Sequence, residues 1–296
     1  MSLTIATTID DVLTGLAAGA RPIAGGTDLV VSSRQGKFEL PSELIAIDRV
    51  DELSKIEEGA DAIRIGSGVT HATLMEHPTI VTHLTSIADA AALVGSPATR
   101  NVGTIGGNVM NGSPAMDTGA PLVVLGAQAE LRTTSATRLA PLDELWVGPS
   151  RTSAAPDELC TALVVPNRPA SSGSAYVRLE YRRSMEIAIV GAAASVTLDG
   201  DAISSINVAL TAVAPTIISV DGLDALRGSP LDAAALQSVA DAASEQALPI
   251  SDLRASDRYR RKMVGVMASR AVDAAARRAS GETIPVPVNR ALGVGA

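Results

Sequence analysis

The apolar positions after Thr8 are spaced for a short helix over Ile9 to Ala18 with Thr8 as its cap, and those that follow for a short strand over Arg21 to Ala24. Gly25-Gly26 then reads as a tight turn, and Thr27 or Asp28 as the N-cap of a helix that stops near Gly36. Leu44 to Asp48 has the apolar run of a strand. The stretch AIRIGSGVTHATLMEH predicts a strand, a turn and a helix from about Thr73, and LTSIADAAALVG predicts a helix with small residues on one face. Farther on, APLVVLGAQAELRTT holds two apolar runs broken at Gly126, as in a strand pair or a helix-to-strand transition. CTALVVP reads as a strand ended by Pro166.

NRPASSGS is the best linker in the chain. Past it, AYVRLEYR and the long run AIVGAAASVTLDGDAISSINVALTAVAP, which turns at Asp199-Gly200, predict three antiparallel strands. Two helices follow, Asp232 to Gln246 and Asp257 to Ser280, separated by Pro249, and the tail TIPVPVNRALGVGA is loop-like. On the last helix Met263, Val264, Met267, Ala271 and Val272 share one face, as core residues would. Arg258, Arg260, Arg261 and Lys262 read as a solvated face or as a docking surface for an acidic patch on a partner. The organisation is α+β, with a boundary near Asn167 to Ser174 and a softer one near Gly59.

Composition narrows the function. The 296 residues are 46 % hydrophobic and 19 % charged, enough for a sizeable core and about two domains. Only 2 % are aromatic, so a cofactor cannot count on many rings to stack on. A net charge of −8 argues against a nucleic-acid partner. Cys160 is the single cysteine, which excludes an intrachain disulfide and, with three histidines, argues against a zinc or iron–sulfur centre held by this chain alone. No basic leader precedes an apolar stretch, and no apolar run is long enough to span a membrane, so the expected setting is the cytoplasm.

Two segments carry the candidate chemistry. AGGTD (Ala24 to Asp28) and GTIGGN (Gly103 to Asn108) are Gly-Gly turns flanked by apolar residues. Backbone without Cβ can approach a ligand closely, and successive N–H groups pointing into one concavity hold an anion. Each such bond to an anion contributes on the order of 1.5–3 kcal/mol, so two segments on opposite sides of a pyrophosphate would hold a dinucleotide without lysine or metal. AGGTD alone reads equally as a plain turn. NVGTIGGNVMNGSPAMD, with four glycines, is harder to read that way. Neither a P-loop nor a strand-borne G-x-G-x-x-G is present, so ATP hydrolysis and a Rossmann site lose ground.

RPIAGGTDL, GSPATRNVGTIGGNVMNGSPAMD, YRRSMEIAIVGAA and SDLRASDRYRRKMV together resemble the FAD-binding medium subunit of the molybdenum hydroxylases, the family of xanthine dehydrogenase and aerobic carbon monoxide dehydrogenase. The resemblance covers nearly the whole chain in order. It implies a two-part N-terminal FAD-binding domain of the PCMH type over 1–168, divided at about 1–58 and 59–168, and an α+β C-terminal domain over 174–285. It implies non-covalent FAD clasped by Ala24, Gly25, Gly26, Thr27, Asp28 and Leu29 on one side and by Thr104, Ile105, Gly106, Gly107 and Asn108 on the other. Ser113 and Asp117 would close the site, Asp117 accepting a hydrogen bond from FAD; its other reading is a helix N-cap. Arg178 falls where many relatives carry a lysine near the flavin ring, or is a solvated strand charge. Glu186 would brace Arg182 or Arg183. His71, His77 and His83 read as surface or cap residues.

The same resemblance places the molybdenum cofactor on a large partner subunit and two [2Fe–2S] clusters on a small one. Electrons would pass through FAD to an external acceptor, in a dimer of heterotrimers. Two other classes stay open: a self-sufficient FAD-dependent oxidoreductase of similar fold, and a non-redox nucleotide-binding protein that uses the same glycine turns.

Overall fold

The computed structural model describes residues 1–36 and 39–294. Among them, three sheets and one short ribbon carry the fold. The first sheet is parallel, in the order β1-β3-β2, from β1 (Ser2–Ile5), β2 (Arg21–Ile23) and β3 (Glu43–Ala46). Between β1 and β2 runs α1 (Ile9–Ala17), started by a capping box in which the Asp11 N–H donates to the Thr8 hydroxyl at 3.1 Å and the Thr8 N–H to the Asp11 carboxylate at 3.0 Å. It buries Ile9, Val12, Leu13 and Leu16 in one cluster with Ile45 and Ile47. α2 (Leu29–Arg34) follows β2. β1 has no counterpart among the strands read from the sequence: all four of its residues are exposed, so it carries no alternation.

The second sheet begins with β4 (Ile56–Glu58) and β5 (Ala62–Gly66). Six short helices follow, α3 (His71–Leu74), α4 (Pro78–His83), α5 (Thr85–Leu93), α6 (Pro97–Val102), α7 (Ile105–Asn111) and α8 (Gly119–Val124). Then come β6 (Gln128–Arg132), β7 (Thr137–Pro141), α9 (Leu142–Leu145), the ribbon of β8 (Trp146–Gly148) and β9 (Arg151–Thr152), and β10 (Leu159–Pro166). The sheet order is β4-β5-β10-β6-β7, so β10 is central, and burial around it pushes the Cys160 thiol up to about 12. The break at Gly126 is a helix-to-strand transition, α8 into β6. α5 differs from the expectation of one small-residue face: every residue from Ser86 to Leu93 is buried. Alanines make the helix thin enough to be enclosed on all sides.

Residues 167–171 lead to the third sheet, antiparallel in the order β11-β12-β13-β14, from β11 (Ser172–Leu179), β12 (Val190–Asp199), β13 (Ala202–Thr211) and β14 (Ile218–Ser219). It has four strands rather than the expected three, because a two-residue edge strand is too short to show a period. Both faces are covered. Tyr176, Ala193 and Ala209 join the core of the second sheet, while Ala175, Val177, Ala192, Ala194 and Leu210 pack with α10 (Ala233–Gln246) and α11 (Asp257–Ala279). Gly173 lets α11 lie close, since a Cβ there would stand 2.2 Å from the Ala275 carbonyl oxygen. The tail is not all loop: α12 (Val288–Ala291) closes against β11, where the Asn289 side-chain amide donates to the Arg178 carbonyl at 2.8 Å.

α11 corrects one group of expectations. Val264, Met267, Ala271 and Val272 are buried as expected, but so is Arg260, which had been read with the solvated face. Its guanidinium donates to the Ile189 carbonyl at 2.6 Å and to Asp252 at 2.7 Å, so its charge is satisfied inside the fold. Among the described residues no helix is long and apolar enough to cross a membrane.

Candidate functional site

β2 delivers the chain into the first glycine segment. Gly26 turns it with φ +65°, a left-handed value that favours glycine, and α2 starts at Leu29. Asp28 holds the N-cap position of α2 without a side-chain cap bond. Among the described residues, the N–H groups of Gly25, Gly26 and Thr27 donate to nothing within the chain. Gly25 is there for close approach, because a Cβ would stand 1.8 Å from the carbonyl oxygen of Val102, the last residue of α6. The two glycine segments therefore touch.

The second segment is not a second open turn. Thr104 is the N-cap of α7, and Gly106 and Gly107 lie in its first turn, the Gly107 N–H donating to the Thr104 hydroxyl at 3.1 Å. The Ile105 and Gly106 N–H groups donate to the carbonyls of Val69 at 3.0 Å and Ser67 at 2.9 Å. These amides pin the segment to the turn after β5 rather than face a ligand. Gly106 serves the same contact, with Ser67 Cβ 2.3 Å from where its own Cβ would be. Gly107 differs: it is exposed, and its Cβ would meet only the Thr104 hydroxyl at 3.0 Å. The free approach on this segment is thus over Gly107, while Gly103 at its entry lies against the first segment, its Cβ position 3.6 Å from the Thr27 hydroxyl.

Behind this surface the Asn108 side-chain amide oxygen accepts from the Thr118 hydroxyl at 2.6 Å, and the Ser113 hydroxyl from the Ala115 N–H at 3.3 Å. Asp117 is no helix cap: α8 is capped from Thr118, and both Asp117 oxygens are engaged. Tyr176 donates its hydroxyl at 2.8 Å and Arg178 its guanidinium at 2.7 Å. Arg178 is not a solvated strand charge. It is fully buried and also donates to Glu180 at 2.7 Å, so against the cost of burial the two carboxylates hold it firmly protonated. Tyr176 and Glu180 were missed in the sequence, although the strand period of two places both on the face that carries Arg178.

His71 is another correction. Expected at the surface or as a cap, it is 2 % exposed, one residue past the Thr70 cap of α3. Its N–H donates to the Gly103 carbonyl at 3.0 Å, and its side-chain Nδ1 is buried without a partner. Burial, and secondarily the charge of Arg100, pull the imidazole down to about 4. His77 stands at the N-cap of α4 without a cap bond, and His83 is exposed. Glu186 pairs with Arg182 at 3.2 Å.

Three successive free amides around a left-handed glycine make an anion cradle, and the exposed Gly107 of the segment that touches it leaves backbone open to a ligand. The residues present fit a dinucleotide with a pyrophosphate, FAD included. Among the described residues no cluster of His, Cys, Asp and Glu could hold a metal ion.

The family model for the FAD binding domain in molybdopterin dehydrogenase matches residues 1–168, and that for the CO dehydrogenase flavoprotein C-terminal domain matches residues 175–275. The chain is 33 % identical over 261 residues to the carbon monoxide dehydrogenase medium chain of Hydrogenophaga pseudoflava, covering 88 % of this chain and 90 % of that one. It is 29 % identical over 266 residues to a xanthine dehydrogenase FAD-binding subunit of Escherichia coli O157:H7, covering 89 % and 91 %. In a solved structure of the Hydrogenophaga pseudoflava carbon monoxide dehydrogenase, one chain superposes with a TM-score of 0.89 at 31 % identity, over 94 % of this chain and 98 % of that one. Quinoline 2-oxidoreductase from Pseudomonas putida 86 gives 0.87 at 25 % identity, with the same coverage. With its cradle built from the segments that these models span, the chain belongs to the family of FAD-binding medium subunits of the molybdenum hydroxylases and is a flavoprotein part of an oxidoreductase.

Proposed function

We propose that this chain receives electrons from [2Fe–2S] clusters on a small partner subunit and releases them to an external acceptor, while substrate is oxidised at a molybdenum cofactor on a large subunit. The observation that carries the reading is the row of unpartnered amides at Gly25, Gly26 and Thr27, held against Val102 at the entry to the second glycine segment. These amides hold the pyrophosphate from one side and the bare backbone at Gly107 admits it from the other. Thr104 and Asn108 fix α7 beneath it, and Asp117, oriented by Tyr176 and Arg178, accepts a hydrogen bond from the cofactor. When bound, the isoalloxazine supplies the redox chemistry, and the protein supplies position and electrostatics. Residues 1–168 hold the cofactor, residues 174–285 form the second domain, and the complex is a cytoplasmic dimer of heterotrimers.

The test is an absorbance spectrum of the native protein, with cofactor released by heat and co-purifying subunits identified by mass. FAD in about equal amount to the chain, with a molybdenum subunit and a cysteine-rich subunit, supports the reading; a flavin-loaded chain alone in its own host counts against the partners. Gly107→Val should lose flavin with an unchanged Tm, because its only close neighbour is the Thr104 hydroxyl at 3.0 Å. Full FAD occupancy in that variant would remove Gly107 from the site.

A further inference from the structure

We propose that Asn289 is a positioning residue of the cofactor site: it fixes Arg178 and, through Arg178, the direction in which Asp117 offers its carboxylate. This rests on the cofactor reading above and adds to it a residue from outside both glycine segments. β11 stands at the edge of its sheet, beside β12. That edge is closed by side chains. Its outward backbone groups recur at every second residue, and helices supply their partners. The Ser174 carbonyl accepts from the Arg278 guanidinium of α11 at 2.7 Å, and the Tyr176 N–H donates to Asp89 of α5 at 3.3 Å. At Arg178 both groups are engaged by one residue of α12. The N–H donates to the Asn289 side-chain oxygen at 3.1 Å, and the carbonyl accepts from the Asn289 side-chain nitrogen at 2.8 Å. One amide thus supplies the pair of bonds that a neighbouring strand would.

The two strand residues closed in this way, Tyr176 and Arg178, are the two whose side chains hold Asp117, at 2.8 and 2.7 Å. Gly191, which faces Arg178 on β12, leaves the space they need, since a Cβ there would collide with the Tyr176 ring. A tail held by packing alone would not need this amide. Ile284 and Val288 already bury apolar side chains in the core shared with α10 and α11. Asn289 is 1 % exposed among them, and a buried amide costs free energy unless it is bonded. Its bonds go to Arg178 alone, whereas Asp89 divides its own among Arg278, Val288 and Tyr176. α12 also lies past residue 275, where the match to the C-terminal family domain ends, so this support comes from a part of the chain that the match does not reach.

The full chain, stripped of flavin, is titrated with FAD and followed by flavin fluorescence. Asn289→Leu should raise the Kd about 10-fold and alter the visible circular dichroism of the bound flavin, which reports the surroundings of the ring. Ile284→Ala loosens the same tail without touching Arg178, so it should lower the Tm at least as much and leave the Kd within about 2-fold. With Asp117→Asn already present, Asn289→Leu should change the Kd less than about 2-fold, because the route through Asp117 is gone. Unchanged Kd and dichroism in Asn289→Leu overturn the proposal. So does an Ile284→Ala variant that weakens FAD as strongly, which would make docking of the tail the whole effect. If Asn289→Leu does not fold, hydrogen exchange of the wild type decides. FAD should slow the Arg178 amide more than the Ile203 amide at the far end of the sheet, and equal slowing overturns the proposal. A wild-type chain that takes up no FAD overturns the cofactor reading instead, which tells the two failures apart.

Discussion

Arg178 stands without solvent exposure between Asp117 and Glu180, and its own backbone is tied to Asn289 from both sides. Arg178→Met keeps the length of the side chain but strands two buried carboxylates. The expected loss is about 3–5 kcal/mol in urea unfolding, with Arg178→Lys losing less. His71 gives a pH signature. Its ordinary value of 6.5 falls to about 4 in the fold, so the folded chain keeps the ring neutral where the unfolded chain would protonate it. The stability tied to this is complete above about pH 6.5 and is lost as pH falls toward 4, about 3 kcal/mol in all. His71→Leu should flatten that part of the profile, measured as the difference between wild type and variant in urea midpoints at about pH 4.5 and 7. Equal slopes would mean that His71 takes up its proton over the same pH range in the folded and unfolded chain.

At the scale of elements, glycines with similar sequence surroundings do different work. Gly25→Ala puts a Cβ 1.8 Å from the Val102 carbonyl oxygen and must part the two segments, so flavin should be lost together with several degrees of Tm. Gly107→Val, whose Cβ meets only the Thr104 hydroxyl, should separate those two effects. The sequence shows where such segments lie, since Gly-Gly among apolar residues is legible in AGGTD and GTIGGN. It does not show which amides are used internally: Ile105 and Gly106 donate to Val69 and Ser67, residues distant in sequence and joined only by the fold. The same holds for the elements. α1, β10, β11, α10 and α11 follow from period and length. β1, β14 and α12 are too short or too evenly exposed or buried for a period to form. The partners of Arg178 and Arg260 come from other strands, loops and turns, which no period in the sequence shows.

Across the whole molecule, one buried ion pair ties the helices of the second sheet to those of the third. Asp89 on α5 accepts from Arg278 of α11 at 2.6 and 3.1 Å, and from the N–H groups of Val288 at 2.9 Å and Tyr176 at 3.3 Å. Burial pushes its carboxyl up and Arg278 opposes this. Asp89→Ala should cost about 3–5 kcal/mol and make the 167–171 connection newly sensitive to limited proteolysis, because it frees α11 from the first half. Uniform loss of stability without cleavage there would show that the shared core, with Tyr176, Ala193 and Ala209 among its members, holds the halves together without the ion pair. The single cysteine turns this architecture into a clock. With its thiol at about 12, Cys160 holds on the order of 10⁻⁵ of its population as thiolate at neutral pH, and it sits on the central strand β10. A thiol reagent can react only when that strand opens, so the labelling rate of the wild-type protein reports how often its interior is exposed, with no cysteine introduced.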